Sequence, residues 1–205
     1  MTRQEGEAVA EMEVEVDCCR PMRADARRNY DRLVTAARDV FAAEGEATSM
    51  ESVARKAGVG VGTLYRHFPK RIDLVEAVYA TDVEELLEAA NATSDMEPWP
   101  AVVAFLRAFV RYAQSKRNFL NELREAFDKN PNLRLRTRER IDAVTDMVIR
   151  RGQEAGVVRD DVDGADVVQL LAPMCTSATI TTEQMSRLLP MILDGLKTGA
   201  DTPVT

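Results

Sequence analysis

Apolar residues recur at intervals of three and four along most of the chain, and this spacing constrains the fold more than any other feature. Between residues 24 and 44 it places Tyr30, Leu33 and Ala37 on one face of a helix. The same spacing returns between residues 72 and 196, and no segment shows the strict apolar and polar alternation of an exposed strand. The sequence therefore predicts an all-α protein.

Local signals divide this pattern into separate helices. The segment from Thr48 to Glu51 has the form of a capping box, in which the Thr48 hydroxyl accepts from the Glu51 amide. Gly58 ends the second helix, because glycine takes a positive φ without a Cβ penalty, and Pro69 closes the third. The predicted helices are at about 24–44, 50–57, 61–68, 72–90, 102–115, 119–128, 133–155, 165–178 and 183–196.

The distribution of charge matters more than the net charge of −7. Residues 1–19 carry one basic and six acidic side chains, and residues 72–205 carry 15 basic and 22 acidic ones. Residues 20–71 reverse this balance, with 11 basic side chains against six acidic ones. A local basic region attracts phosphates even where the whole chain is acidic, so this segment is a candidate nucleic-acid surface.

Composition excludes several classes of protein. Hydrophobic residues make up 45% of the chain, which is typical of a globular protein, and residues 1–22 are expected to form an acidic, disordered tail. No leader or membrane-spanning pattern is present, so a cytoplasmic location without membrane contact is expected. Cys18, Cys19 and Cys175 fit neither a disulfide scaffold nor a zinc site, and we expect no metal or cofactor.

The order of the first three helices is that of a helix-turn-helix, whose last helix enters the major groove of DNA. Residues 57–68, AGVGVGTLYRHF, resemble the turn and recognition helix of the TetR family of transcription regulators. Members of that family share a Gly-Thr-Leu-Tyr-x-His-Phe core, which here occupies residues 62–68. The resemblance extends from about Arg27 to Leu74, roughly a quarter of the chain.

The resemblance implies a three-helix DNA-binding domain at residues 23–71 and a larger helical domain for ligand binding and dimerisation at residues 72–200. It also implies a ligand-responsive regulator, expected to be a repressor, that binds a palindromic operator in double-stranded DNA as a homodimer. An effector in the second domain would weaken DNA binding, with the long helix at residues 72–90 as the lever.

Residue by residue, the resemblance makes Tyr65 and His67 phosphate ligands and Thr63 a groove-facing residue. Phenol, imidazole and main-chain amide groups all donate to phosphate oxygens. Taken alone, Tyr65 could be a packing aromatic and His67 a core histidine, and the shared motif favours DNA contact. Leu64 and Phe68 are expected in the core. The full expected DNA-contact set is Thr48, Ser49, Gly60, Val61, Gly62, Thr63, Tyr65, Arg66, His67, Lys70 and Arg71, where Lys70 or Arg71 clamps the backbone.

The recognition segment has few side chains that can read bases. Gly60 and Gly62 offer no side-chain donor, so Thr63, Arg66 and a Val61 contact with a thymine methyl remain, and part of the readout is expected to depend on DNA shape. Four upstream arginines are either a minor-groove arm or a solvated charge run. They are Arg20, Arg23, Arg27 and Arg28.

The sequence also suggests two other classes of function. Gly58, Gly60 and Gly62 suggest a nucleotide-binding enzyme, but no buried strand precedes them and Thr63 occupies the position of a third loop glycine. With a single histidine, the sequence contains no catalytic constellation. A helical adaptor that binds only protein remains the alternative, and salt-sensitive DNA binding would separate it from a regulator.

Two surfaces are expected in the second domain. The last two helices should form a dimeric four-helix bundle, because the final helix carries an apolar face too large to leave in water. Its expected interface residues are Met185, Leu188, Leu189, Ile192, Leu193 and Leu196. A cavity for a small hydrophobic or aromatic effector is expected among large apolar side chains, with few charged groups inside. Its expected lining is Phe105, Phe109, Tyr112, Phe119, Leu123, Phe127, Met147, Met174 and Cys175.

Overall fold

A computed structural model describes residues 20–199, without the side chains of residues 20–23, 46 and 118. The expected acidic tail lies outside this range up to residue 19, and so do Cys18 and Cys19. Residues 20–22, also assigned to the tail, instead belong to the first helix. Within the described range the chain forms nine α-helices and no strand, which confirms the all-α prediction.

Three helices form the N-terminal domain and six form the remainder, in the predicted order. Short 3-10 segments follow the first helix and precede the sixth. The helices are α1 (Arg20–Glu44), α2 (Met50–Ala57), α3 (Val61–His67), α4 (Arg71–Asn91), α5 (Pro98–Ser115), α6 (Leu120–Lys129), α7 (Pro131–Glu154), α8 (Gly164–Thr176) and α9 (Thr182–Leu196).

Proline accounts for two helices that start earlier than predicted. The sequence predicts α5 from residue 102 and α7 from residue 133. Pro98 and Pro131 instead occupy the first turns of these helices, where the missing amide hydrogen breaks no helical hydrogen bond. The Asn130 side chain caps α7 by accepting from the Leu133 amide at 3.2 Å.

The capping residue of α2 also differs from the prediction by one position. Ser49, not Thr48, is the N-cap, and its hydroxyl accepts from the Ser52 amide at 3.0 Å. Thr48 is buried, and its hydroxyl donates to the Gly45 carbonyl at 2.7 Å. The turn after α2 is as predicted, with Gly58 in the left-handed conformation at φ 66°.

The N-terminal core fixes the angle between α2 and α3. Leu33 and Phe41 from α1, Val53 from α2 and Leu64 from α3 are all 0–1% exposed. Phe68 closes this core against the ring of Tyr30, with ring centroids 5.2 Å apart. Helix α3 is therefore held by side chains from both preceding helices.

Helix α4 joins the two parts of the molecule, since it contacts α1 on one side and α5, α6 and α7 on the other. The larger core contains fully buried side chains from α5, α7 and α8, including Phe105, Ile149 and Leu171. Helices α7 and α8 approach closely at Gly164, where a Cβ atom would lie 2.4 Å from the Asp146 backbone nitrogen. This contact requires glycine at the first residue of α8.

Candidate nucleic-acid interface and cavity

Helix α3 presents one face to the core and the other to solvent. Leu64 is 0% exposed and Phe68 is 3% exposed, in agreement with their expected packing role. Residues on the opposite side are exposed or half-buried, so their polar groups are available to a partner. The exposed members are Gly60, Val61, Gly62, Tyr65, Arg66 and, just after the helix, Lys70. Thr63 and His67 are half-buried.

The two motif aromatics of α3 are both partly accessible. Tyr65 is 42% exposed, and its hydroxyl lies 3.5 Å from a carboxylate oxygen of Glu51 on α2. The His67 ring meets the ring of Tyr30 on α1 edge to face, with centroids 6.2 Å apart. Both side chains can therefore donate to a phosphate while their rings remain against the domain.

Two expected DNA-contact residues are positioned differently. The Thr48 side chain is buried and its hydroxyl donates to backbone carbonyls, so this hydroxyl is not available to DNA in the described structure. Arg71 also points inward, because its Nη2 lies 2.7 Å from Glu122 of α6 and its Nη1 donates to the Thr48 carbonyl. Its guanidinium lies 5.1 Å above the Phe41 ring. Arg71 ties the DNA-binding domain to α6, whereas Lys70 is exposed.

A second ion pair joins α1 to α4. Arg38 approaches Asp82 at 2.6 Å and Glu85 at 2.8 Å. Burial raises the pKa of the Asp82 carboxyl, while Arg38 and a hydrogen bond from Ser115 oppose that rise. The sequence analysis missed both interdomain ion pairs, because their partners lie 44 to 51 positions apart and no local pattern relates them.

The larger domain contains a cavity of about 460 Å³ between α4, α5, α6, α7 and α8. Four of the nine expected lining residues border it, namely Phe109, Tyr112, Leu123 and Phe127. Its other lining residues are Tyr79, Ala113, Lys116, Leu120, Arg134, Arg138, Ile141, Val168, Gln169, Ala172, Pro173 and Thr176. A volume of this size suits a small organic molecule.

The remaining five expected lining residues do not border this cavity. Phe105, Phe119 and Cys175 are 0–1% exposed and belong to the packed core, and burial raises the pKa of the Cys175 thiol to about 11. Met174 is half-buried against that core, and Met147 is 50% exposed beside a separate surface depression. Helical spacing identifies apolar positions but cannot separate cavity walls from solid core.

The expectation of few charged groups concerns the depth of the cavity, whereas its lining as a whole is more basic than the sequence suggests. Three basic side chains border it, namely Lys116, Arg134 and Arg138. Lys116 and the two arginines come from different segments, so helical periodicity does not predict that they lie together. Arg138 is paired with Asp142 one turn along α7, at 2.6 Å. The cavity therefore combines an apolar wall with a basic one.

The final helix divides its apolar residues between the protomer core and its surface. Met185, Leu193 and Leu196 are 2–7% exposed in the single protomer, so they pack in its core and offer little surface to the predicted dimer interface. Leu188, Leu189 and Ile192 are half-buried. Met191 on α9 and Leu170 on α8 are 68% and 51% exposed, which leaves an apolar surface on these two helices.

No helix between residues 20 and 199 combines the length and the apolar character that a membrane span requires.

Comparison with known proteins gives matches to both parts of the chain. Residues 33–78 match the family model of bacterial regulatory proteins of the tetR family, and residues 97–198 match the C-terminal domain of SbtR-like transcriptional regulators. An HTH-type transcriptional regulator from Staphylococcus aureus strain USA300 is 42% identical over 64 residues, which are 31% of this chain and 35% of that protein. The chain thus matches about a third of the length of that relative.

Two solved structures are similar over much more of the chain. A TetR transcriptional regulator from Streptomyces coelicolor is 32% identical, with a TM-score of 0.72 over 83% of this chain and 99% of its own. A TetR transcription regulatory protein from Mycobacterium vanbaalenii is 33% identical, with a TM-score of 0.69 over 87% of this chain and 100% of its own. The protein therefore belongs to the TetR family of transcriptional regulators, and its first three helices are a DNA-binding helix-turn-helix.

Proposed function

We propose that the protein is a cytoplasmic, ligand-responsive repressor that binds a palindromic operator as a homodimer. The observation that carries this proposal is a chain of contacts from the cavity to the segment before α2, since the cavity-lining Leu123 is next to Glu122, and Glu122 pairs with Arg71, which donates to the Thr48 carbonyl. Residues 23–71 form the DNA-binding domain in this proposal, and residues 72–200 form the ligand-binding and dimerisation domain.

On DNA, α3 lies in the major groove with its exposed face towards the bases. Tyr65, His67 and Lys70 donate to phosphates and set the register, which adds affinity on every sequence. Thr63, Arg66 and the exposed Val61 side chain face base edges. Ser49 and the glycines Gly60 and Gly62 allow the phosphate backbone to approach the turn closely.

A ligand weakens DNA binding by favouring an arrangement in which α3 of the two protomers no longer fits two half-sites. Leu120, Leu123 and Phe127 of α6 line the cavity, so a ligand displaces the helix that carries Glu122. Glu122 holds Arg71 at the start of α4, and Arg71 holds the Thr48 carbonyl ahead of α2. Movement of α6 is thereby transferred to the recognition helix.

The dimer forms through the exposed faces of α8 and α9. Leu170, Leu188, Leu189, Met191 and Ile192 supply apolar surface that water disfavours, and a twofold axis repeats this patch on both protomers. The same axis relates the two α3 helices, so that each can contact one half of a palindromic operator.

Selection of bound sequences from a random duplex library by the full chain tests this function. We expect a palindromic consensus, protected over both halves, with an affinity that falls steeply as salt rises. Arg66→Ala should relax the preference at one base pair of each half-site, whereas Arg107→Ala, on the exposed side of α5, should not. Recovery of no enriched sequence would favour the adaptor alternative.

A further inference from the structure

Lys116 is a half-buried cation in the lining of the cavity. It follows α5, and its Nζ lies 3.0 Å from the ring centroid of Tyr112 and 4.9 Å from that of Tyr79. Both tyrosines line the cavity with it. The ammonium therefore lies against two aromatic faces in the wall of the cavity.

Within the described residues no carboxylate lies within ion-pair distance of the Lys116 ammonium, and no hydrogen bond to it is formed. The nearest acid that acts on it, Asp82, has both oxygens engaged elsewhere. One oxygen faces Arg38 at 2.6 Å, and the other accepts from the Ser115 hydroxyl at 2.9 Å. The field of Asp82 reaches Lys116, but its lone pairs are directed to other donors.

Burial lowers the pKa of Lys116 well below its ordinary value, and Asp82 opposes this shift only in part. A buried cation without a hydrogen-bonding anion is energetically unfavourable, and proteins tolerate such groups mainly at functional sites. The Tyr112 hydroxyl beside it is also buried and has no hydrogen bond of normal geometry among the described residues. The Lys116 ammonium and the Tyr112 hydroxyl thus both border the cavity, where a ligand could accept from each.

The rest of the cavity wall supplies the complementary surface. Phe109, Leu123, Phe127 and Ile141 supply apolar surface to the same cavity. Arg134 lies on the exposed part of α7 at the cavity edge. Its positive charge attracts anions from solvent towards the entrance.

We propose that the cavity binds a small organic anion, a carboxylate on an aromatic or aliphatic body. The carboxylate accepts from the Lys116 ammonium and the Tyr112 hydroxyl, and the apolar body lies between Phe109, Leu123 and Phe127. Binding of the anion does not require the proposed function, but its role as the effector that releases DNA rests on that function. It replaces the neutral hydrophobic ligand that the sequence suggested.

Calorimetric titration of the full-length dimer with matched pairs of compounds tests the proposal. The probes are aryl- and alkyl-carboxylates, such as phenylbutyrate, indole-acetate and octanoate, each with its primary amide. The amide keeps the shape and removes the charge. We expect carboxylates to bind at least about tenfold more tightly than their amides, because a charge-assisted hydrogen bond in an apolar site is stronger than a neutral one.

Lys116→Met isolates the charge, since methionine keeps most of the apolar length. This variant should lose the preference for carboxylates while it retains amide binding, and Lys116→Arg should restore part of the preference. Lys129→Met is the control, because Lys129 on the exposed side of α6 is paired only with Glu125. Circular dichroism and sedimentation confirm that each variant is folded and dimeric.

The results separate this inference from the proposed function. Equal affinity for carboxylates and amides, preference unchanged in Lys116→Met, or no binding of any carboxylate overturns the anion site. If amides bind equally well and release DNA, the effector function survives and the anion inference fails. If carboxylates bind through Lys116 but leave operator affinity unchanged, the anion site stands and the effector function fails.

Discussion

The recognition helix and the cavity show how differently two parts of one chain depend on sequence. In the N-terminal domain, a turn glycine, two core anchors and the exposed motif residues lie within 12 consecutive positions. In the C-terminal domain, the cavity draws its walls from five helices spread between Tyr79 and Thr176. The first region is therefore specified locally, whereas the second exists only after distant helices have packed.

The two regions also bury polar groups differently. On α3, Tyr65 and Arg66 are exposed and meet water until a partner arrives. In the cavity, Lys116 is half-buried and its pKa is lowered by burial, and the Tyr112 hydroxyl is buried without a hydrogen bond of normal geometry among the described residues. Substitution of the exposed residues of α3 should therefore change the free energy of unfolding little. The polar groups of the cavity carry an energetic penalty that a bound ligand can relieve.

Truncation of a buried side chain beneath α3 should have the largest effect on stability and on operator binding. Leu64→Ala removes a fully buried side chain beneath α3 and should lower the free energy of unfolding by about 3 kcal/mol. Operator binding should be lost at concentrations that saturate the wild type. Urea denaturation and fluorescence anisotropy measure the two effects. Leu135→Ala, at a site 57% exposed on α7, is the control and should change neither quantity. A Leu64→Ala protein that is as stable as the wild type and binds the operator would show that α3 does not depend on this buried residue.

Charge placed on the apolar surface of the second domain should separate the protomers without unfolding them. Leu170→Glu combined with Met191→Glu alters side chains that are 51% and 68% exposed, so little packing within the protomer is lost. We expect the dimer dissociation constant to rise at least about a hundredfold by sedimentation, with operator affinity falling in parallel. An unchanged sedimentation coefficient would show that the dimer interface does not lie on α8 and α9.

On the exposed face of α3, a single phosphate contact should have a smaller effect. Tyr65→Phe removes one hydroxyl without altering the packing of the ring, and should weaken binding about tenfold on operator and random DNA alike. Thr63→Ala should instead change the preference at one base pair. Binding titrations on a set of singly substituted operators distinguish the two outcomes, and equal uniform losses for both variants would refute the division of roles.

The smallest expected effect is a gain in stability. Lys116→Met removes a buried cation and should raise the thermal midpoint at neutral pH by about 2–4 °C, equivalent to roughly 1 kcal/mol. Because the pKa of Lys116 is lowered on folding, the unfolded chain binds more protons between the lowered and the ordinary value. Wild-type stability should therefore rise with pH through that window, and the gain of the variant should shrink. A variant less stable than the wild type at neutral pH would show that Lys116 stabilises the fold.

The extent of sequence-based prediction follows the same division. Helix order, the Gly58 turn and the inward Leu64 and Phe68 were predicted because each depends on neighbours in sequence. The inward direction of Arg71 was not, since Glu122 lies 51 positions away and only the tertiary fold brings them together. Local spacing likewise placed Phe119 in the cavity, where packing against Phe41 makes it core.

The effect of a ligand in the cavity on DNA binding depends, in this proposal, on the ion pair between Arg71 and Glu122. Glu122→Gln keeps the shape of the side chain and removes its charge, so both sites should still bind while their communication weakens. The decisive measurement is operator affinity, by fluorescence anisotropy, with the cavity saturated by a bound carboxylate and without it. We expect saturation to weaken the wild type by about tenfold or more and Glu122→Gln by much less. Equal operator affinity with and without a cavity-bound ligand in the wild type would contradict the account.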